Sequence, residues 1–329
     1  MGKYILSIDT KKNHTALSKP KEDIVNILED TGFSRVTYNS ESCKVWRRLF
    51  GKIIWWYKLK NIKDGVFVFQ YPIYSKYITK VILRNLRRKR IKLICVIHDI
   101  EVLRDAKKEK KAVQNEIKTL QQFDVLIVHN NKMQDWLKKN GIIKKMITLK
   151  LFDYLTNSSP HFPTMSDPIV YAGNLTKAFF LTKMSIKKSV QVYGPNPAKR
   201  YPKNVEYKGQ YSSEELIPHL NGSFGLVWDG DSITENNGVY GEYTKYNNPH
   251  KVSLYLSCGL PVIVWKQAAI ADFVEKNNLG ISIDSLSELD ECLHDISAEK
   301  YKNMLVDVNQ IRQEIREGFF TLNAINRAI

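Results

Sequence analysis

The sequence predicts two α/β domains in tandem, each a parallel sheet whose strands are joined by crossover helices. Three observations carry this. Short β-rich apolar runs alternate with helical patterns along both halves of the chain. A stretch rich in Ser, Thr, Asn and Pro, TNSSPHFPTMSDP over 156–168, interrupts that alternation as an inter-domain connection does. Finally, 329 residues suit two domains, each large enough to bury its own core. The first domain is read over 1–155 and the second over 168–310. At 43% hydrophobic and 11% aromatic residues, with 16 Gly and 11 Pro, disordered and fibrous classes are excluded.

In the first half, KYILSID (3–9) reads as a strand and 22–31 as a helix, because Ile24, Val25, Ile27 and Leu28 recur at helical spacing. The runs at 66–70, 93–97 and 124–129 are short and β-rich, and each leads into polar residues and a helix-like segment. In the second half, Ile169–Ala172, Val190–Tyr193, Val205–Gly209, 224–228 and 261–265 are strand candidates, and 249–258 is a helix. Residues 298–329 are predominantly helical, with length enough to cross back to the first domain.

The net charge of +16 is unevenly placed. Residues 1–150 carry 33 Lys and Arg against 14 Asp and Glu, a net of +19, while the remainder has a net of −3. Such a half suits an anionic surface, phospholipid headgroups or nucleic acid, or is simply a basic soluble surface. The segment 44–60 interleaves Trp46, Leu49, Phe50, Ile53, Trp55 and Trp56 with six cations, and Arg84, Arg87, Arg88, Lys89 and Arg90 form a second cluster. Indoles settling at headgroup depth among cations describe an in-plane membrane helix, but a helix packing its aromatics into the core has the same composition. Cys43, Cys95, Cys258 and Cys292 lie far apart with no C-x-x-C pair, which fits a reducing cytoplasm and neither a disulfide framework nor a cysteine zinc site. The N-terminal apolar run is too short for a signal peptide, and no stretch reaches the ~18 apolar residues of a membrane span, so a protein neither exported nor integral is expected.

Neither G-x-G-x-x-G nor G-x-x-x-x-G-K-[ST] is present, which demotes dehydrogenases and P-loop kinases. The strongest local construction is YNNPHK (246–251). Asn248 has the chemistry of an N-cap and Pro249 of a first helical position; VSLYLSC follows, Gly259 closes the helix and Pro261 opens a strand. A helix N-terminus with Lys251 in its first turn offers N–H groups, a positive dipole end and a full charge to a phosphate, although a plain helix start uses the same residues. In YAGNLTK (171–177), Gly173 lets a backbone approach at a strand's carboxyl end, and Asn174 is donor and acceptor; an ordinary turn is the alternative. Asp229 and Asp231 form a D-x-D after another strand, read as a turn rather than a divalent-ion site. His98 and Asp99 end the most apolar strand and suit a general base and its partner, or a structural pair; His129 and Asn130 end the next strand and can face the same crevice. His14, His161, His219 and His294 show no metal-ligand spacing.

At YAGNLTK, GLVWDGD, NNPHKVSLYLSCGLPVIVW, ADFVEKNNLG and IHDIEVLRD the sequence resembles bacterial β-1,6-galactofuranosyltransferases of surface-polysaccharide assembly, and more distantly the glucosyltransferases that extend glycans on serine-rich adhesins. The resemblance implies the GT-B fold: two facing Rossmann-like domains with parallel sheets, donor nucleotide on the second, acceptor on the first, and no required metal or other cofactor. It further implies that Lys251 and the helix it opens hold the donor diphosphate, that Gly173 and Asn174 line the same site, and that Tyr211 contacts the nucleoside; Asn248 joins the donor-binding residues as the expected cap of that helix. Asp99 would remove the acceptor hydroxyl proton in an inverting reaction, with His98 as second choice.

The expected protein is therefore a cytoplasmic glycosyltransferase, peripheral on the inner face of the cell membrane. It would move a galactofuranosyl or glucosyl group from a UDP-sugar to a growing lipid-linked or protein-linked glycan, with a homo-oligomer allowed. An adhesin-glycan glucosyltransferase is the near alternative. A non-hydrolysing sugar-nucleotide epimerase and a non-catalytic module binding membrane or nucleic acid are the distant ones; no nucleic-acid partner is expected.

Overall fold

A computed structural model describes residues 2–9, 18–40, 43–105, 109–159 and 161–329; His14 lies outside these. The chain divides into two compact units, Met1–Leu149 with Thr321–Ile329, and Lys150–Phe320. The division falls just ahead of the Ser/Pro-rich stretch.

The first unit is a six-stranded parallel sheet of β1 (Gly2–Asp9), β2 (Ser34–Asn39), β3 (Asp64–Tyr71), β4 (Arg90–Ile97), β5 (Val125–Val128) and β6 (Lys145–Thr148) in the order β2-β1-β3-β4-β5-β6. Its helices are α1 (Lys19–Glu29), α2 (Lys44–Leu59), α3 (Lys76–Leu86), α4 (Lys110–Leu120) and α5 (Asn131–Lys139). Strands β3, β4 and β5 are nearly continuous buried apolar runs, as expected where helices cover both faces of a parallel sheet.

The second unit repeats the plan with β7 (Ile169–Ala172), β8 (Val190–Tyr193), β9 (Val205–Gly209), β10 (Phe224–Val227), β11 (Val262–Trp265) and β12 (Gly280–Ile283), ordered β12-β11-β10-β7-β8-β9 and parallel throughout. Its helices are α6 (Ser213–Leu216), α7 (Gly238–Tyr243), α8 (His250–Ser257), α9 (Ala271–Lys276), α10 (Leu289–His294) and α11 (Ala298–Arg316). The last helix, α12 (Phe319–Ala328), belongs to the first unit in all but its first two residues. There Lys92 Nζ donates to the Ile329 carbonyl and Lys145 Nζ to that of Arg327, each at 2.7 Å.

Three strands escaped the sequence reading: β2, β6 and β12, all of them sheet edges. Among the described residues no helix is long and apolar enough to cross a membrane.

Candidate functional site

In the second unit the winding reverses between β7 and β10, and the carboxyl ends of strands flanking such a switch point are where open parallel sheets bind ligands. Gly173 follows β7, and Trp228 and Asp229 follow β10. Helix α8 is drawn tightly under these ends: a Cβ on Gly225 of β10 would lie 2.1 Å from the Tyr255 ring, so only glycine admits that packing. The Tyr255 hydroxyl accepts from the Ala172 N–H at 2.7 Å.

This packing carries the start of α8 to the switch point. Lys251 Nζ donates to the Tyr171 hydroxyl at 2.7 Å and to Asp229 Oδ1 at 2.8 Å, and lies 4.3 Å from the Tyr171 ring centroid. Burial, and then the Asp229 carboxylate, push the Tyr171 phenol well above its ordinary pKa, so it stays protonated and can point its O–H toward the Trp228 carbonyl (3.2 Å) or Asp229 (3.4 Å) while accepting from the lysine. Gly173 has φ +157°, and a Cβ there would stand 2.8 Å from Lys251 Cε; the bare glycine is what lets the lysine cross the strand end. Gly194, at the end of β8, is tighter still, since its Cβ would lie 1.9 Å from the Gly173 carbonyl oxygen. Sequence reasoning missed this second glycine, though its place in YGPNP after a strand was the available signal.

Two sequence expectations need correction. Pro249, not Asn248, occupies the capping position of α8, because its ψ of 134° is extended and the helix begins at His250. Asn248 is buried, and its Nδ2 donates to the Lys150 carbonyl instead of capping. Pro249 brings no capping side chain, so the helix start presents its N–H groups without one.

Asn174 Oδ1 accepts from Thr176 N (3.1 Å), Thr176 Oγ1 (2.8 Å) and Asn196 Nδ2 (3.1 Å), which ties down the turn after β7. Tyr211 is partly exposed, with one ring face stacked on His219 at 4.0 Å between centroids. Asp231 Oδ1 accepts from Asn237 Nδ2 at 2.5 Å while Asp229 pairs with Lys251, so the two carboxylates of the D-x-D have separate partners. Among the described residues no group of three or more His, Cys, Asp or Glu is placed to hold a metal ion.

In the first unit, His98 and Asp99 follow β4. His98 is buried and its Nε2 lies 2.9 Å from Gln70 Oε1. Gln70 Nε2 donates to the carbonyls of Leu6 and Lys21, so its oxygen is the acceptor and His98 carries a proton on Nε2; this tautomer is assigned from the network. Asp99 Oδ2 accepts from Arg104 at 2.7 Å, a pair about one-fifth exposed. Around it stand groups that the sequence did not single out. Lys21 is pulled down to about 8 by burial against the opposing pull of Asp99 and Glu101, and its Nζ donates to the Pro72 carbonyl at 2.7 Å. Tyr74, 4.8 Å from that ammonium at its ring centroid, is pushed up to about 12, by burial first and then by Asp99. Glu116 accepts from Tyr71 Oη and from the backbone N–H groups of Glu101 and Val102, anchoring the turn that carries Asp99.

His129 lies behind this group, against the backbone of Ile97 and His98. It is fully buried, burial lowers it to about 4, and its Nε2 donates to the Ile97 carbonyl at 3.0 Å; Asn130 caps α5 through the Met133 N–H. A strand end that is itself covered yields a structural histidine.

Two family models match the chain: the glucosyltransferase 3-like N-terminal domain over residues 2–151 and the corresponding C-terminal domain over 169–328. The chain is 30% identical to the β-1,6-galactofuranosyltransferase WbbI of Escherichia coli (strain K12), covering 94% of this chain and 93% of that protein. It is 25% identical to glucosyltransferase 3 of Streptococcus gordonii, covering 94% and 92%. Among solved structures it superposes on sucrose-phosphate synthase of Thermosynechococcus elongatus with a TM-score of 0.66 at 12% identity, covering 99% of this chain and 98% of that one. A trehalose-6-phosphate structure from Escherichia coli bound with UDP-2-fluoro glucose gives 0.61 at 8% identity, covering 100% and 99%. The fold is thus the GT-B fold.

Proposed function

The chain belongs to the glucosyltransferase 3-like family and is a glycosyltransferase that moves a hexosyl group, and from that premise we propose that its donor is a UDP-sugar held in the second unit at Lys251. The observation that carries this is the placement of one lysine at the start of α8, across Gly173, at the switch point of the sheet. A diphosphate there meets a cation, the helix N–H groups and the positive dipole end together. Gly173 and Asn174 line the approach, and the exposed face of Tyr211 stacks on the nucleoside.

In this reading Asp99 of the first unit takes the acceptor hydroxyl proton as that oxygen attacks the anomeric carbon. The carbon–oxygen bond to the β-phosphate breaks with inversion, and the charge developing on the departing UDP is stabilised by the Lys251 ammonium and the helix start, an electrostatic contribution of several kcal/mol. Because Lys251 supplies the positive charge, turnover proceeds without a metal. The acceptor is a growing surface glycan. The kinship with WbbI supports galactofuranosyl transfer and the kinship with streptococcal glucosyltransferase 3 supports glucosyl transfer. The +19 charge of residues 1–150 supports peripheral attachment to an anionic membrane bearing a lipid-linked acceptor.

The test is calorimetric titration with UDP, UDP-glucose, UDP-galactose and UDP-galactofuranose, on wild type and Lys251→Ala. Donor binding that ignores the substitution would remove Lys251 from the site.

A further inference from the structure

Helix α2 presents apolar residues on two opposite sides. Gly51, Trp55 and Leu59 are its buried residues, with Trp55 3% exposed and its ring 6.1 Å from that of Tyr38. A Cβ on Gly51 would stand 3.0 Å from Ile78 Cδ1 of α3, so the helix is held close against its neighbour at that turn. On the other side Val45, Trp46, Leu49, Ile53, Trp56 and Tyr57 are all exposed, Trp46 at 53% and Trp56 at 60%. At 3.6 residues per turn these six fall within an arc of about 120°, roughly opposite the buried trio. A surface helix of a soluble domain carries polar residues on that arc, and a contiguous apolar stripe, unlike scattered exposed side chains, marks an interaction surface.

The charge around the stripe identifies what it meets. Helix α2 contains no carboxylate, and residues 42–98 hold 15 Lys and Arg against a single acid, Asp64. Lys52 is exposed on α2 at the edge of the stripe, and Lys60, one residue past the helix, falls within its arc; Lys76, Lys80 and Arg84, spaced by four, are exposed on α3. A phosphate backbone would reward the cations but offer nothing to Leu49, Ile53 or Val45. A second copy of this chain would bring two cationic faces together, which like-charge repulsion opposes. An anionic bilayer satisfies both features, with indoles and aliphatic side chains at the headgroup boundary and cations at the lipid phosphates.

We propose that α2 is the membrane-docking element of the first unit, lying in the plane of an anionic bilayer with Trp46, Leu49, Ile53 and Trp56 inserted at the acyl boundary. This rests on the reading of the protein as a transferase serving a membrane-borne acceptor, and it adds the segment and face that make the contact.

The experiment uses the full chain and cosedimentation with vesicles of phosphatidylcholine alone or equimolar with phosphatidylglycerol. Wild type binds the anionic vesicles, binds the neutral ones at least tenfold more weakly, and dissociates as salt rises. The triple variant Leu49→Gln/Ile53→Gln/Trp56→Gln loses at least tenfold of the anionic binding with an unchanged thermal midpoint, since all three side chains are already solvent-exposed. Lys52→Glu/Lys60→Glu weakens binding as well and guards against a folding artefact in the first variant. Wild type that ignores both vesicles overturns the proposal, as does a triple variant that binds like wild type. Self-association of wild type that the triple variant abolishes, without vesicle binding, assigns the stripe to a second copy and also overturns it. UDP calorimetry on the same proteins separates this from the donor reading: vesicle binding without UDP binding refutes the donor site alone, and UDP binding without vesicle binding refutes the docking helix alone.

Discussion

Lys251 enters the donor reading already paired, and that pairing makes its substitution quantitatively informative. Its Nζ is 2.8 Å from Asp229 Oδ1 and 2.7 Å from the Tyr171 hydroxyl. Lys251→Ala removes a charge-assisted hydrogen bond to the diphosphate, about 1.5–3 kcal/mol, which is roughly a 10- to 150-fold rise in Kd for UDP. It also leaves the Asp229 carboxylate facing the incoming anion. Two like charges about 5 Å apart at an effective dielectric of 20 repel by about 3 kcal/mol before salt screening, so the single variant should fall at the weak-binding end of the range or beyond it. Asp229→Asn alone keeps an acceptor for the lysine and removes the competing charge; UDP should then bind as in wild type or up to about tenfold more tightly. In Lys251→Ala/Asp229→Asn part of the loss should return, which appears as a coupling energy in the double-mutant cycle. The assay is calorimetric titration at low salt, with thermal melting of each variant to verify folding. If Asp229→Asn weakens UDP as much as Lys251→Ala does, Asp229 itself contacts the ligand, and the assignment of Lys251 as the diphosphate cation held in waiting by Asp229 is refuted.

Asp99→Asn should lower kcat by ~10²–10⁴-fold with UDP affinity intact, as removal of a general base does; near-normal turnover in that variant together with an inactive His98→Ala would transfer the role to His98. Turnover should persist in excess EDTA, since Asp229 and Asp231 are engaged by Lys251 and Asn237; loss of activity restored by Mn²⁺ or Mg²⁺ would show otherwise. Gly173→Ala places a Cβ 2.8 Å from Lys251 Cε at a φ of +157°, so it should cost about 1–3 kcal/mol of stability and weaken UDP binding by displacing the lysine; an unaltered titration would mean that Lys251 does not work from this position. Lys21 supplies a stability signature. Its folded pKa of about 8 lies below the unfolded 10.5, so the unfolded state binds more protons between those values and stability rises with pH across that window. Tyr71 and Tyr74, whose pKa values are raised, pull the other way above pH 10. Burial also raises the Cys95 and Cys258 thiols, which oppose that rise from about pH 8 upward, so the signature is a difference between proteins: from pH 8 to pH 9.5 the melting temperature of wild type should gain on that of Lys21→Met, and parallel profiles would locate the titration elsewhere.

The two-unit α/β architecture was legible because its signals are local. Central strands such as β3, β4 and β11 are buried on both faces and must be apolar at nearly every position, which leaves a readable run. The strands that went unread, β2, β6 and β12, are edges with only one or two buried residues each, and a half-exposed four- to six-residue segment carries too little apolar pattern to register. At the site, a cation at a helix start and a glycine after a strand were readable because cap, helix and turn lie within a few residues of one another. The partners of Lys251 were not, because Asp229 and Tyr171 are 22 and 80 positions away and meet it only after β7, β10 and α8 have packed. The same division runs through α2, where composition announced aromatics among cations but assigned them equally to core or surface. The packing of Gly51 on α3 and of Trp55 beside Tyr38 fixes the helix's rotation, which leaves Trp46 and Trp56 outside. A helix's own sequence orders its residues around the axis; which side faces inward is decided by the neighbour it meets.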